Sequence, residues 1–190
     1  MKRLLILASG SGSNAENIIT YCRERGQNEV VAVFTNKSTA KVLERCKRLG
    51  VPAYFFSKAA FSDSDNFVEV LKTFSPDLIV LAGFLWKIPE ALVTAFPNKI
   101  VNIHPALLPK YGGKGMYGDR VHKAVKDNGE TETGITIHFV NEAYDEGAII
   151  FQAKTQIDSQ DTPETIAQKV HQLEYEHFPK VIEKLLVQNG

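Results

Sequence analysis

Short apolar runs alternate with amphipathic stretches through the first half of the chain, and this alternation restricts the fold more than any other feature. The apolar runs lie at residues 4–8, 30–34, 78–82 and 100–103. Runs of this length are typical of strands that are buried on both faces. The stretches between them have helical spacing and lie at residues 14–25, 39–49 and 62–74. Strands that alternate with helices predict a parallel sheet with right-handed crossovers.

The second half of the chain has a different pattern. Residues 105–118 are rich in glycine and proline and predict a long irregular loop, which is usually functional inside a compact domain. Further predicted elements are a helix at 119–128, strands at 133–140 and 148–154, and a helix at 162–187 that Pro179 kinks or divides. We therefore predict one α/β domain over residues 1–190. Its sheet is mostly parallel, twisted and flanked by helices, with an antiparallel addition in the C-terminal half.

Charge and cysteine content exclude several classes of protein. Lys+Arg and Asp+Glu each number 22, so the formal net charge is zero and we expect no nucleic-acid partner. No apolar run is long enough to span a membrane, so we expect no membrane partner. Cys22 and Cys46 form no CxxC pair and fit ordinary thiols in the cytoplasm. The histidine spacings match no metal-binding motif, so we expect no metal.

A glycine-rich segment, Ser9-Gly-Ser-Gly-Ser-Asn14, lies between the first predicted strand and the first predicted helix. Glycines let the backbone approach a ligand closely, and the N–H groups at a helix start point towards an anion. A dinucleotide site also needs an acidic residue at the end of the second strand, where Thr35-Asn-Lys37 stands instead. The segment therefore favours a mononucleotide or sugar-phosphate site over an NAD site. The alternative is a tight turn in which Ser13 or Asn14 caps the helix.

Asn102 and His104 alternate along the segment 101–105, at the carboxyl end of the predicted strand at 100–103, so their side chains share one face. An amide that donates to an oxyanion, beside an imidazole that moves a proton, suits acyl transfer. The alternative is a hydrogen-bonded core histidine beside a strand-end asparagine. The long loop that follows favours the functional interpretation.

Two further segments have weaker signals. The acidic loop at residues 141–147 lies between two predicted strands and can present a carboxylate to an imidazole. Taken by itself, this loop is better explained as an exposed turn. The segment Phe84-Leu-Trp86 follows the strand at 78–82 and either lines a pocket for a flat ring system or packs in the core.

Four motifs occur in order along the chain. They are Gly10-Ser-Gly-Ser-Asn14, Leu81-Ala-Gly-Phe84, Asn102-Ile-His-Pro-Ala-Leu-Leu-Pro109, and Gly134-Ile-Thr-Ile-His-Phe-Val140 continuing to Asp145-Glu-Gly147. Together they resemble the phosphoribosylglycinamide formyltransferase family of folate-dependent enzymes in purine synthesis, over nearly the whole chain. The resemblance implies a Rossmann-like formyltransferase fold. It also implies direct formyl transfer from 10-formyltetrahydrofolate to the amine of 5-phosphoribosyl-glycinamide through a tetrahedral intermediate.

The resemblance implies roles for individual residues. Asn102 would hold the oxygen of the intermediate, His104 would stabilise that oxygen or move protons, and Asp145 would sustain the imidazolium. Residues that bind the phosphoribosyl substrate would be Gly12, Ser13, Asn14, Pro105 and Glu174. Residues that bind folate would be Leu85, Trp86, Lys87, Ile88, Asn102, Asn141, Glu142, Ala143, Tyr144 and Asp145. Residues 1–100 would then form a phosphate-binding half, and residues 101–190 a catalytic and folate-binding half.

Two segments depart from the family pattern. Trp86 stands where the family commonly has arginine, with the basic residue one position later, and the glycine-rich segment at 112–118 replaces a histidine-bearing loop. Two related reactions are alternatives, namely formyltetrahydrofolate hydrolysis and methionyl-tRNA formylation. Enzymes of the first reaction typically carry a regulatory domain and those of the second a tRNA-binding domain, and we expect neither domain in this chain. A non-catalytic nucleotide-binding module would leave Asn102, His104 and Asp145 without a role. We expect small-molecule substrates and a monomer or homodimer.

Overall fold

The computed structural model describes residues 1–143 and 145–188. The described residues include one seven-stranded sheet. They are β1 (Lys2–Leu7), β2 (Asn28–Thr35), β3 (Ala53–Phe55), β4 (Leu78–Leu81), β5 (Ile100–His104), β6 (Glu132–Phe139) and β7 (Ile149–Gln156). The strand order is β3-β2-β1-β4-β5-β6-β7, with only the β5–β6 and β6–β7 pairs antiparallel. The predicted parallel sheet with an antiparallel addition is confirmed.

Helices flank this sheet. They are α1 (Ser13–Arg25), α2 (Lys41–Leu49), α3 (Lys58–Ser62), α4 (Ser64–Lys72), α5 (Glu90–Ala95), α6 (Asp119–Asp127) and α7 (Pro163–Gln188). The apolar and helical patterns of the sequence do not predict β3, α3 or α5 as separate elements. Among the described residues, no helix has the length and apolar character needed to cross a bilayer.

Helix α7 continues through Pro179, so the prediction that this proline could divide the helix is wrong. A proline inside a helix cannot donate to the carbonyl four residues earlier, which here belongs to Tyr175. Asn17 of α1 supplies a hydrogen bond instead, because its Nδ2 donates to the Tyr175 carbonyl oxygen at 2.9 Å. The packing of α1 against α7 therefore satisfies the backbone group that the proline leaves free.

The central strand β1 is buried on both faces. The four residues from Leu4 to Leu7 are each 0% exposed. Leu4 and Ile6 belong to a core with residues of α1 and α7, whereas Leu5 and Leu7 belong to a second core with residues of α4 and α5. The sheet is therefore the middle of three layers, as the continuous apolar runs predict.

The strand order reverses beside β1, because β2 and β3 lie on one side of it and β4 and β5 on the other. In open α/β sheets, ligands bind at the carboxyl ends of the strands next to such a reversal. The loops after β1 and β4 are joined at this edge. Ser9 N–H donates to the Gly83 carbonyl oxygen at 3.1 Å, and Leu85 N–H donates to Ser9 Oγ at 3.0 Å.

Candidate active site

The loop after β1 brings the start of α1 to the reversal edge of the sheet. Gly12 immediately precedes α1, with a φ of 73° in the left-handed region. A Cβ at Gly12 would lie 2.3 Å from Val42 Cγ2, so both the backbone conformation and the neighbouring helix α2 require glycine. No described side chain caps α1, so the alternative that Ser13 or Asn14 is a cap does not hold. The N–H groups at the start of α1 remain for a ligand.

Asn14 joins the first turn of α1 to α7. Its Nδ2 donates to Glu174 Oε2 at 2.9 Å, and His171 Nδ1 lies 2.8 Å from the same oxygen. The hydrogen bond between His171 and Glu174 raises the pKa of His171 above its usual value, although partial burial opposes the shift. Within the described residues, the buried Oδ1 of Asn14 has no hydrogen-bond partner. The cluster therefore offers acceptor oxygens to a ligand that carries hydroxyl groups.

Three predicted catalytic side chains converge at the end of β5. Asn102 and His104 lie on β5, and Asp145 lies in the loop between β6 and β7. Asn102 Nδ2 is 3.5 Å from Asp145 Oδ1, and His104 Nδ1 is 3.5 Å from Asp145 Oδ2. The side chains of His104 and Asp145 are only 4% and 12% exposed. The carboxylate thus connects the amide to the imidazole in surroundings that largely exclude water.

The loop after β5 fixes a proton on His104. Nε2 of His104 lies 2.7 Å from the Tyr111 carbonyl oxygen, and this nitrogen carries hydrogen because a carbonyl only accepts. Burial lowers the pKa of His104 below its usual value, although the charge of Asp145 and the Tyr111 carbonyl oppose the shift. At neutral pH the imidazole is therefore mostly neutral, with the lone pair of Nδ1 directed towards Asp145.

Asp145 is held in its ionised form. Burial raises the pKa of its carboxyl, but His138, the charge of His104 and the Gly113 N–H outweigh burial and leave the pKa below its usual value. The Gly113 N–H donates to Oδ2 at 2.9 Å. The φ of Asp145 is 55°, a left-handed value that aspartate adopts more readily than most residues. The interpretation of this loop as an exposed turn is wrong for Asp145, which points inward.

His138 belongs to the same cluster, although it is not among the site residues predicted from the sequence. It lies on β6, directly opposite Asn102 in the antiparallel β5–β6 pair. Its Nε2 is 3.1 Å from Asn102 Nδ2 and 3.6 Å from Asp145 Oδ1, and its side chain is 2% exposed. Its presence in the Gly134–Val140 motif was the only hint in the sequence that it could belong to the site.

The segment after β4 lies beside the reversal edge of the sheet, and its tryptophan packs in the core, which is one of the two interpretations of this segment. Trp86 is half-buried, with its ring 5.3 Å from the Phe61 ring and Lys58 Nζ 4.4 Å from its own ring centre. The neighbouring residues differ, since Leu85 and Lys87 are exposed and Ile88 is buried. Trp86 therefore packs in an aromatic cluster, while Leu85 is accessible to a ligand.

The remaining predicted residues lie around the two clusters. Pro105 is half-buried directly after His104. In the β6–β7 loop Asn141 and Glu142 are exposed, and Ala143 N–H donates to Asn141 Oδ1 at 3.0 Å. Tyr144 lies outside the described residues.

The fold and the site together define an α/β enzyme that transfers a chemical group. The reversal edge holds the start of α1 without a side-chain cap, and beside it a shielded amide, imidazole and carboxylate can stabilise charge and move a proton. In the part of the chain that the structure describes, no group of histidine, cysteine, aspartate or glutamate side chains could hold a metal ion. The chain belongs to the formyl transferase family, whose family model matches residues 2–182.

Relatives with established names support this membership and confirm the resemblance of the motifs. The phosphoribosylglycinamide formyltransferase of Bacillus subtilis is 39% identical over 195 residues, which cover 100% of this chain and 97% of the relative. The chloroplastic enzyme of that name from Arabidopsis thaliana is 43% identical over 187 residues, or 95% of this chain, and the chain spans 64% of its length. Glycinamide ribonucleotide transformylase 1 from Symbiobacterium toebii has a similar solved structure, with a TM-score of 0.91 and 33% identity. That match covers 99% of this chain and 89% of the other.

Proposed function

We propose that this chain transfers a formyl group from 10-formyltetrahydrofolate to the amine of 5-phosphoribosyl-glycinamide. The observation that carries the proposal is the convergence of Asn102, His104 and Asp145 at the carboxyl end of β5. Formyl transfer between two nitrogens needs a donor for the oxyanion of a tetrahedral intermediate and a group that moves a proton. The amide, the imidazole and the carboxylate together meet both needs.

In the proposed first step, the acceptor amine attacks the formyl carbon. A new C–N bond forms, and the carbonyl electron pair moves onto oxygen. Asn102 keeps one amide hydrogen on His138 Nε2 at 3.1 Å. Its other hydrogen, which faces Asp145 Oδ1 at 3.5 Å in this structure, turns to the oxyanion. A single oxyanion donor of this kind typically contributes on the order of 100- to 1000-fold to kcat.

His104 and Asp145 move the proton in this proposal. The attacking amine loses a proton to Nδ1 of His104, which has a lone pair in the neutral ring. Asp145 Oδ2, 3.5 Å away, and the Tyr111 carbonyl, 2.7 Å from Nε2, stabilise the resulting imidazolium. The proton then passes to the folate nitrogen as the bond between that nitrogen and the formyl carbon breaks. Tetrahydrofolate and the formylated amide are released.

We assign the phosphate of the acceptor to the start of α1. The N–H groups of Gly12, Ser13 and Asn14 bind it, and the dipole of α1 favours its negative charge. Glu174 accepts hydrogen bonds from the ribose, and Pro105 borders the substrate beside His104. Because backbone groups hold the phosphate, a chain with zero formal net charge can bind a phosphate ester.

We assign the folate to the two loops that flank the catalytic cluster, with Asn102 between them. One loop contributes Leu85, Trp86, Lys87 and Ile88, and the other contributes Asn141, Glu142, Ala143, Tyr144 and Asp145. The exposure of Leu85, at 37%, and of Asn141 supports this assignment because a ligand can reach both. Residues 1–100 and 101–190 then form the phosphate-binding half and the catalytic, folate-binding half of one domain.

We also propose that the chain acts in the cytoplasm as a monomer or homodimer. Cys22 and Cys46 are buried free thiols, which supports a reducing compartment.

The test is turnover with both substrates. The purified protein should produce tetrahydrofolate and formylated acceptor in equal amounts, and it should consume little formyl-folate without the acceptor. Release of formate without the acceptor would indicate the hydrolase instead, and an absence of any consumption would refute the proposal. His104→Ala should lower kcat by on the order of 100- to 10,000-fold with folate affinity nearly unchanged. The control is His177→Ala, because His177 packs on Phe151 outside the cluster and should leave kcat near the wild-type value.

A further inference from the structure

The buried His138 has a defined protonation pattern that acts on Asn102. Nδ1 of His138 lies 2.9 Å from the carbonyl oxygen of Phe139. Because a carbonyl oxygen only accepts hydrogen bonds, Nδ1 must carry the hydrogen of the ring. In the neutral ring Nε2 is then an acceptor with a lone pair.

This acceptor determines the orientation of the Asn102 amide. The atom of Asn102 nearest to His138 Nε2 is Nδ2, at 3.1 Å, and an amide nitrogen donates to a lone pair. If the amide were reversed, its oxygen would face the lone pair of Nε2, which repels it. The same Nδ2 lies 3.5 Å from Asp145 Oδ1, so the NH2 end is directed to the carboxylate side of the cluster.

His138 also lies beside the Asp145 carboxylate. Its Nε2 lies 3.6 Å from Asp145 Oδ1, while His104 Nδ1 lies 3.5 Å from Asp145 Oδ2. The two imidazoles therefore flank the two oxygens of one carboxylate. His138 is 2% exposed, so water does not compete for its hydrogen bond with Asn102.

We infer that His138 is a positioning residue for formyl transfer: as the neutral Nδ1–H tautomer, it keeps the NH2 end of Asn102 turned towards the reacting oxygen. This inference rests on the proposed function. His138 touches no substrate in this scheme and acts through Asn102, so its loss should affect kcat rather than substrate binding. A displacement of a reacting group by about 1 Å can cost on the order of 100-fold in rate.

Two substitutions separate positioning from simple packing. Glutamine reaches as far as Nε2 of histidine and can offer an oxygen to Asn102, whereas asparagine reaches only as far as Nδ1. His138→Asn should lower kcat by about 10- to 100-fold, with both KM values within about threefold of wild type. His138→Gln should stay within about fivefold of wild type. Equal loss in both variants, or wild-type kcat in His138→Asn, would overturn the inference.

A double-mutant cycle tests whether the effect passes through Asn102. In an Asn102→Ala background the further substitution His138→Asn should change kcat by less than about twofold, because the group it positions is gone. The same 10- to 100-fold loss in both backgrounds would show that His138 acts independently, and the inference would be wrong.

A spectroscopic measurement on the wild-type protein needs no variant to be active. Long-range ¹H–¹⁵N spectra of protein labelled with ¹⁵N-histidine report the tautomer of each ring, and the signals missing from His138→Gln identify His138. The expected result is hydrogen on Nδ1 and a lone pair on Nε2. Hydrogen on Nε2 would overturn the inference. If the wild-type protein transferred no formyl group, the proposed function would fail, and the spectra would still decide the tautomer separately.

Discussion

Replacing Gly12 by alanine should destabilise the protein through two separate costs. The φ of 73° is left-handed, and this conformation costs about 1–2 kcal/mol for a residue with a Cβ. The new Cβ would also lie 2.3 Å from Cγ2 and 2.9 Å from Cα of Val42, so helix α2 itself would have to move. Overpacking of this kind typically costs about 1–3 kcal/mol. The backbone cost and the packing cost together should lower the free energy of unfolding by about 2–5 kcal/mol.

Gly26→Ala is the matched control for this experiment. Gly26 follows the other end of α1, has a φ of 67°, and has nothing within 4 Å of a built Cβ, so only the backbone cost of about 1–2 kcal/mol applies. Urea unfolding followed by circular dichroism should place Gly12→Ala about 1–3 kcal/mol below Gly26→Ala. Equal destabilisation of the two variants would refute the steric argument. The KM for the phosphate-bearing acceptor should rise in Gly12→Ala alone.

Three further predictions concern charge and proton binding. Asp145→Asn should lower kcat by on the order of 100-fold or more in steady-state assays, since the imidazolium loses its partner; an unchanged kcat would contradict the proposed proton path. The Glu174 hydrogen bond raises the pKa of His171, so its stabilisation is complete below about pH 6.5 and is lost as pH rises through the raised folded-state pKa. The difference in urea unfolding midpoint between the wild type and His171→Gln should therefore decrease from pH 6 to pH 9. A difference that does not change with pH would show that the His171–Glu174 ion pair does not stabilise the fold. Burial raises the pKa of Cys22 and Cys46 to about 11 from an ordinary value of 9.0. Ellman's reagent at pH 8 should therefore label them about 100-fold more slowly in native than in urea-unfolded protein, and equal rates would show that the thiols are accessible.

The local sequence pattern was sufficient to predict the central strands of the sheet but not its edge strand β3. Central strands such as β1 and β4 are buried on both faces, which leaves a continuous apolar run in the sequence. The edge strand β3 has no such run, because its residues Tyr54 and Phe55 are 45% and 50% exposed. Helix α5 has six residues, too few for a helical period to be recognised.

In the candidate site, too, some residues could be predicted from the local sequence pattern and others could not. Asn102 and His104 alternate on one strand, so the local pattern alone predicts that they lie together. Glu174 was identified only from the family resemblance, since an acid in a helix carries no local signal. The acidic loop at 141–147 indicated a carboxylate from its residues, but only the resemblance singled out Asp145. His138 was missed because its contact with Asn102 depends on the register between two antiparallel strands, which no short motif specifies.

The hydrogen bond between Asn14 and Glu174 joins residues separated by 160 positions in the chain. At a synthesis rate of about 5–20 residues per second, roughly 8–30 s pass between the appearance of the two partners. During that interval the loop at the start of α1 exists on the nascent chain without the carboxylate that completes its cluster. In the proposed site, the acceptor therefore gains its ribose contact with Glu174 only in molecules in which α7 has already docked. Substrate supply would then protect finished molecules from proteolysis more than incomplete ones.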